Sequence, residues 1–268
     1  MQNQSNNNFF EANKNLWDSR VEGHLDTELY NMKAFMSGKT SLNQIELSEL
    51  GDVKGKSLLH LQCHFGQDTL SWAIEGAQVT GMDISEEGIN KAKELSNDLG
   101  IDAHFVACNI YDLPQHLEGE FDIVFTSYGT IGWLPDMTEW AKVINHFLKP
   151  GGTFYMAEFH PMVWMFDDNF EGLVIPYNNS GVLEFESNFS YASPEKQEET
   201  KKEYSWNHGI GEVVTALAST GLQLDFLNEF DYSPYNVFPD MIKVEGGYQI
   251  TGLDGLIPMV YSMKWSKA

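Results

Sequence analysis

One glycine and one acid, seventeen residues apart, frame the chemistry this sequence can do. Gly66 sits in the stretch HLQCHFGQD (60–68), and Asp83 ends the apolar run AQVTGMD (77–83). In an open α/β sheet, ligands bind beyond the carboxyl ends of the strands, at the point where the strand order reverses. A glycine opening the first helix lets a ligand lie against the backbone. A carboxylate ending the second strand accepts hydrogen bonds from ribose hydroxyls. Together they point to a nucleoside-type cofactor, against the plainer reading of a packing glycine and a helix-capping aspartate. Gln62 and His64 stand where the dinucleotide fingerprint has its two earlier glycines, which disfavours a pyrophosphate. No Gly-Lys-Ser/Thr follows a glycine at the spacing of a phosphate-binding loop. His60, Cys63 and His64 have zinc-ligand chemistry, but in a strand positions 60 and 64 share a face that 63 does not, so no metal is expected. Cys63-His64 lacks the first cysteine of a c-type haem motif.

These residues need a scaffold, and the hydrophobic rhythm supplies one. Apolar runs at 57–63, 77–83, 102–108, 121–127 and 153–159 read as buried strands. Between them lie helical segments: 68–76, a run capped by Ser85 and stopped by Gly100, and a run opened by the Asp136/Glu139 capping box. Five strands with mostly helical crossovers imply an α/β fold: a doubly wound, Rossmann-like sheet with helices on both faces. Further along, 211–221 reads as a helix, and 222–230 and 256–265 as strands, giving about seven strands, mostly parallel. Before the sheet, residues 1–12 are expected to fray. A helix is expected over 13–36, and another from a Ser41/Gln44 capping box to Gly51. Residues 1–50 are read as an N-terminal helical cap on a domain spanning 51–268. The aromatic-rich stretch 161–206, with Trp164, Phe189 and Trp206, is read as a lid insertion, the charged run PEKQEETKK (194–202) forming a hairpin tip.

LLHLQCHFGQDTLSWA, GMDIS, FVACNIYDLP, FDIVFTSYGTIGWLP and LKPGGTFYMAEFHP occur in the order and spacing of a known family. The chain resembles class I S-adenosylmethionine-dependent methyltransferases over roughly residues 15–265. More narrowly it is similar to a bacterial subgroup with an HLQCHFG loop in place of the acidic-x-Gly-x-Gly-x-Gly loop. The resemblance implies a Rossmann-like sheet whose last strand is antiparallel, with S-adenosyl-L-methionine as cofactor and S-adenosyl-L-homocysteine as product. It implies Asp83 on the ribose and Ile84 against the adenine, with Asn109 and Ile110 at the adenine ring. The backbone of Leu61, Gln62, Cys63 and Gly66 would cradle methionine, and Ser127 and Tyr128 would line the methionine side and the acceptor mouth. His60 stands where the family has an acid, and Asp68 is read as favouring the helix N-terminus.

Methyl transfer needs an aligned acceptor and, for some acceptors, a base. His160, His208 and Tyr128 are the candidate bases, with His160 favoured because its strand end is expected to face the site. Arg20 and His24, four apart on one helical face, are expected to point toward the cofactor's carboxylate or an acidic acceptor. Trp133 and Trp164 are candidates for the acceptor wall. A non-catalytic cofactor-binding regulator is the alternative, and a nicotinamide oxidoreductase is disfavoured by the missing glycines. The formal net charge of −23, from 16 Lys plus Arg against 39 Asp plus Glu, argues against nucleic acid and anionic membrane and for a small-molecule acceptor. No run of eighteen apolar residues and no signal peptide is visible, and Cys63 and Cys108 read as free thiols, so a cytoplasmic location is expected.

Overall fold

The computed structural model describes residues 2–188, 190–192 and 199–268; Phe189 and most of the expected hairpin tip lie outside the described residues. Three helices lead the chain: α1 (Gln2–Leu25), α2 (Met32–Met36) and α3 (Gln44–Leu50). Alternating elements follow: β1 (Ser57–Leu61), α4 (Gln67–Ile74), β2 (Gln78–Asp83), α5 (Glu86–Leu99) and β3 (Ala103–Ala107). Then come α6 (Leu113–His116), β4 (Phe121–Thr126), α7 (Met137–Phe147) and β5 (Leu148–Phe159). A hairpin of β6 (Leu183–Ser187) and β7 (Lys201–Ser205) precedes α8 (Ile210–Ser219) and β8 (Gln223–Phe230). A second hairpin, β9 (Met241–Val244) and β10 (Gly247–Ile250), precedes β11 (Val260–Ser266).

Seven strands form one sheet in the order β3-β2-β1-β4-β5-β11-β8. β1 runs parallel to β2 and β4, and β11 runs antiparallel to both β5 and β8. This is the expected architecture, and the strand order reverses between β1 and β4. Both faces are covered. Leu59, Val124, Phe154 and Met156 pack against Trp140, Ile144 and Phe147 of α7 and Leu217 of α8. Their strand neighbours Leu58, Ile123, Phe125 and Tyr155 pack on the other face with Leu50 of α3 and Trp72 of α4. That alternation is the period of two of a strand buried on both sides.

Local chemistry sets the helix ends next to the site. Ser85 Oγ accepts from the Gly88 N–H to start α5, and Gly100 ends it at φ +65°. Asp136 accepts from the N–H groups of Thr138 and Glu139 at the start of α7. Elsewhere the expectations are corrected. Helix runs from Gln2 instead of fraying to residue 12, and it stops at Leu25; Asn31 in the left-handed region at φ 40° restarts the chain as α2. The capping pair of α3 is Asn43 with Glu46, because the Ser41 hydroxyl is held by Asp68 and Ser71. The β9–β10 hairpin falls in 231–255, a segment with no expected element.

Candidate functional site

A cavity of about 1080 Å³ opens beyond the carboxyl ends of β1, β2 and β4, and its wall includes residues of α1 and of the β6–β7 hairpin. It is at or above the top of the range for a single small-ligand pocket, roughly 300–1,000 Å³.

Asp83 lies at its edge, 8 % exposed. One carboxylate oxygen accepts from the His64 N–H at 2.8 Å and the other from the Ser85 N–H at 2.8 Å. Burial pushes its pKa up to about 6 against the pull of those N–H groups. The Ile84 N–H also bears on the carboxylate, which with about four acceptor sites keeps room for a further donor. The His64 N–H reaches Asp83 because the loop after β1 is left-handed at two non-glycine positions, Gln62 at φ 56° and His64 at φ 52°. These are the positions where the dinucleotide fingerprint places glycines. The turn is thus made without them, at a backbone cost of about 1–2 kcal/mol per residue.

The third left-handed residue of the loop is Gly66, at φ +75°. A Cβ there would sit 2.8 Å from Ala92 Cβ and 2.9 Å from Phe105 Cε1. Gly66 therefore faces α5 and β3, not a ligand, and Leu61 is wholly buried in the sheet core; neither lines the cavity. Gln62, Cys63, Ile84, Asn109, Ile110 and Ser127 do line it, as expected. Gln62 Nε2 donates to the Thr130 carbonyl at 2.8 Å, and its buried Oε1 has no partner among the described residues.

Two carboxylates that sequence reasoning passed over complete the polar floor. Asp68, in the first turn of α4, accepts from Ser41 Oγ at 2.5 Å and Ser127 Oγ at 3.4 Å, and burial raises its pKa. Beside it His60 Nδ1 meets Thr69 Oγ1 at 2.8 Å, and burial lowers its pKa to about 3, so the ring is neutral. Asp68, eight residues on in the first turn of α4, thus places a carboxyl group beside the neutral His60 ring. Glu158, 2 % exposed on β5, accepts the N–H groups of Gly129, Thr130 and Ile131 and so shapes the loop after β4. Its signal was an acid inside the strand TFYMAEF, where charge is buried only with partners.

The aromatic candidates divide. Tyr128 lines the cavity and donates from its hydroxyl to Glu46 at 3.0 Å. Trp133 lines it with Nε1 donating to the Gly129 carbonyl, and Trp164 lines it while 42 % exposed. His208 also lines it, but Nε2 donates to the Leu134 carbonyl at 2.7 Å and Nδ1 lies 3.0 Å from Glu212, so both ring nitrogens are engaged.

Three candidates lie elsewhere. His160 does not face the cavity: Nε2 meets Glu229 of β8 at 3.0 Å and Nδ1 accepts from the Met162 N–H. Position 160 lies just past the end of β5, whose last two residues, Glu158 and Phe159, both line the cavity, and the His160 ring is drawn off by Glu229. Arg20 and His24 also point away, into the seam between α1 and the hairpin. Arg20 pairs with Glu203 at 3.0 Å, and His24 contacts His64 Nε2 at 2.9 Å and Ser190 Oγ at 2.6 Å. Asn13 exchanges two hydrogen bonds with the backbone of Tyr204 in the same seam. Asp18 of α1 accepts from Ser85 Oγ and the Glu87 N–H, fastening the helix to the loop after Asp83.

Comparison with known proteins bears on this geometry. A family model described as a methyltransferase domain matches residues 52–216. An uncharacterized methyltransferase of Synechocystis is 33% identical over 134 residues, 49% of this chain and 60% of that protein. A ubiquinone biosynthesis O-methyltransferase of Bordetella pertussis is 28% identical over 107 residues, 40% of this chain and 44% of that protein. The matches thus span less than two thirds of these relatives' lengths. A solved S-adenosylmethionine-dependent methyltransferase of Listeria monocytogenes shares the fold at a TM-score of 0.59, covering 87% of this chain and 98% of that one at 19% identity.

Proposed function

The chain belongs to the methyltransferase domain family, and from that premise we propose that it transfers a methyl group from S-adenosyl-L-methionine to a small organic acceptor, leaving S-adenosyl-L-homocysteine. The observation that carries the reading is Asp83, a buried carboxylate ending β2 at the rim of a cavity at the switch point. When bound, the cofactor supplies a methyl group on a positively charged sulfur.

The residues present fit that group. Asp83 would take the ribose, and Ile84, Asn109 and Ile110 the adenine. Gln62, Cys63 and Ser127 would face the methionine end. Asp68 and Gln62 Oε1, which has no partner among the described residues, would accept from its ammonium, so the missing acid at His60 does not empty that role. Asp68, Asp83 and Glu158 give the cavity a negative lining that suits a cationic cofactor and opposes the pyrophosphate of a nicotinamide dinucleotide. Trp133 and Trp164 belong to the acceptor wall.

Residues 1–50 act as a helical cap on the domain 51–268. α1 together with the described residues of 161–206 forms a lid, fastened by the Asn13, Arg20 and His24 contacts, that excludes water from the reacting atoms. Arg20 and His24 serve the lid instead of the acceptor. With a charge of −23 the protein works without nucleic acid. Among the described residues no helix is long and apolar enough to cross a membrane, and the free thiols Cys63 and Cys108 suit the cytoplasm.

Calorimetry tests the cofactor: S-adenosyl-L-methionine binds and NAD does not. Release of S-adenosyl-L-homocysteine with a metabolite pool tests turnover. Binding without any turnover would make the chain a cofactor-binding regulator, and binding of NAD alone would overturn the reading.

A further inference from the structure

Glu46 is wholly buried on α3, outside the cavity lining, yet it is tied to the cavity by one hydrogen bond. Its Oε1 is taken by Asn43, whose N–H lies at 2.5 Å and whose Nδ2 lies at 3.1 Å. Its Oε2 accepts from the Tyr128 hydroxyl at 3.0 Å. Tyr128 faces the cavity directly after β4, beside Ser127, and stacks edge-on against Tyr235 at 5.2 Å. Phe159, Trp164 and Phe238 continue that wall, each ring within 5.7 Å of another.

We infer that Tyr128 and Glu46 form a proton relay for an acceptor that carries a weakly acidic O–H or N–H on an aromatic body. The inference rests on the methyl-transfer reading and names its acceptor class. Tyr128 Oη receives the acceptor's proton while passing its own to Glu46 Oε2. The acceptor's X–H bond breaks and leaves its electron pair on X, a lone pair of X forms the new bond to carbon, and the S–CH₃ pair returns to sulfur. Glu46 goes from −1 to neutral as the sulfonium goes from +1 to neutral, so charge balances inside the closed site. His160 does not line the cavity, and His208 lines it with both ring nitrogens already engaged by Glu212 and the Leu134 carbonyl, which favours Tyr128 as the group that takes the proton.

The groups facing Glu46 set its proton affinity. Burial is the largest influence, the Asn43 N–H opposes it, and the nearby Asp68 charge adds to it, with Tyr128, Tyr155 and Tyr235 around it. The result is a pKa raised to about 7, where a carboxylate can take a proton and return it to solvent near neutral pH.

The test uses the full chain with Glu46→Gln and Tyr128→Phe. Gln keeps an oxygen for the Asn43 N–H, so α3 retains its cap. Carbon-13 titration of the Glu46 carboxyl, assigned by its loss in Glu46→Gln, is expected to give a midpoint near 7. With catechol and aniline as probes, kcat in both variants is expected to fall about 100-fold or more while cofactor affinity by calorimetry stays within twofold. The acid limb of the wild-type pH–rate profile is expected to vanish in Glu46→Gln. A Glu46 midpoint in the ordinary carboxylate range, an unchanged kcat, or turnover confined to dimethyl sulfide, which has no proton to give, would overturn the relay. Absence of cofactor binding in wild type would instead overturn the methyl-transfer reading itself.

Discussion

Replacing Gly66 by alanine separates a packing glycine from a ligand-contact glycine. The position is left-handed at φ +75°, which for an L-residue costs about 1–2 kcal/mol. The added Cβ would sit 2.8 Å from Ala92 Cβ and 2.9 Å from Phe105 Cε1, inside contact distance on a well-packed face, and overpacking of that kind costs about 1–3 kcal/mol. The sum, about 2–5 kcal/mol, is a large part of the 5–15 kcal/mol typical of a folded domain. At roughly 2–4 °C per kcal/mol for a chain of this size class, the Tm should fall by about 4–20 °C. Thermal and urea unfolding read this directly, with cofactor calorimetry on the folded protein alongside. An alanine variant as stable as wild type would refute the packing argument, and full stability with lost binding would make Gly66 a ligand contact after all.

Other substitutions and pH address the remaining claims. Asp83→Ala removes charge-assisted hydrogen bonds and should weaken S-adenosyl-L-methionine binding by about 1.5–3 kcal/mol, roughly 10- to 150-fold, by calorimetry. His160→Gln should leave cofactor affinity within twofold while lowering stability by about 1 kcal/mol, since the ring contacts Glu229 and the Met162 N–H and not the cavity. Burial holds His24 and His60 down to about 3, so below pH 6.5 the unfolded chain binds protons that the native chain refuses, and stability is lost as pH falls toward 3. Asp83 at about 6 and Glu46 at about 7 act oppositely between pH 4 and 6, where the native chain holds the extra protons. Unfolding monitored against pH should therefore change little between 6 and 4. Below 4 the two histidines should remove at most about 2.7 kcal/mol per unit, the slope falling toward half of that near pH 3 as the native rings protonate.

The sheet was legible because its signals are local. Buried runs of five to seven residues, Ser85 and Asp136 as caps and Gly100 as a stop each dictate their own element. Asp83 was legible for the same reason: an acid ending a buried strand has few structural uses. What failed depends on direction. His160 directly follows Glu158 and Phe159, which both line the cavity, and what turns its ring away is Glu229 of β8, a partner 69 residues distant. Arg20 and His24 share a helix face, but the hairpin that covers this face comes from residues more than 160 positions away. Asp68 was read as a helix-end charge because nothing local announces that Ser41 and Ser127 converge on it. Glu46 was missed because its partner, Tyr128, is 82 residues distant. The β9–β10 hairpin had a signal, Glu245-Gly246-Gly247 between two short apolar runs, with Gly246 at φ +91°.

The central claim is that the Asp83 side of the cavity holds S-adenosyl-L-methionine, and a crystal structure grown with S-adenosyl-L-homocysteine measures it most directly. The account predicts both ribose hydroxyl oxygens within about 2.5–3.0 Å of the Asp83 carboxylate. The adenine should lie between Ile84 and Asn109–Ile110, and the ammonium should rest against Asp68 and Gln62 Oε1. A nucleoside bound elsewhere, or a ribose out of hydrogen-bond reach of Asp83, would contradict it.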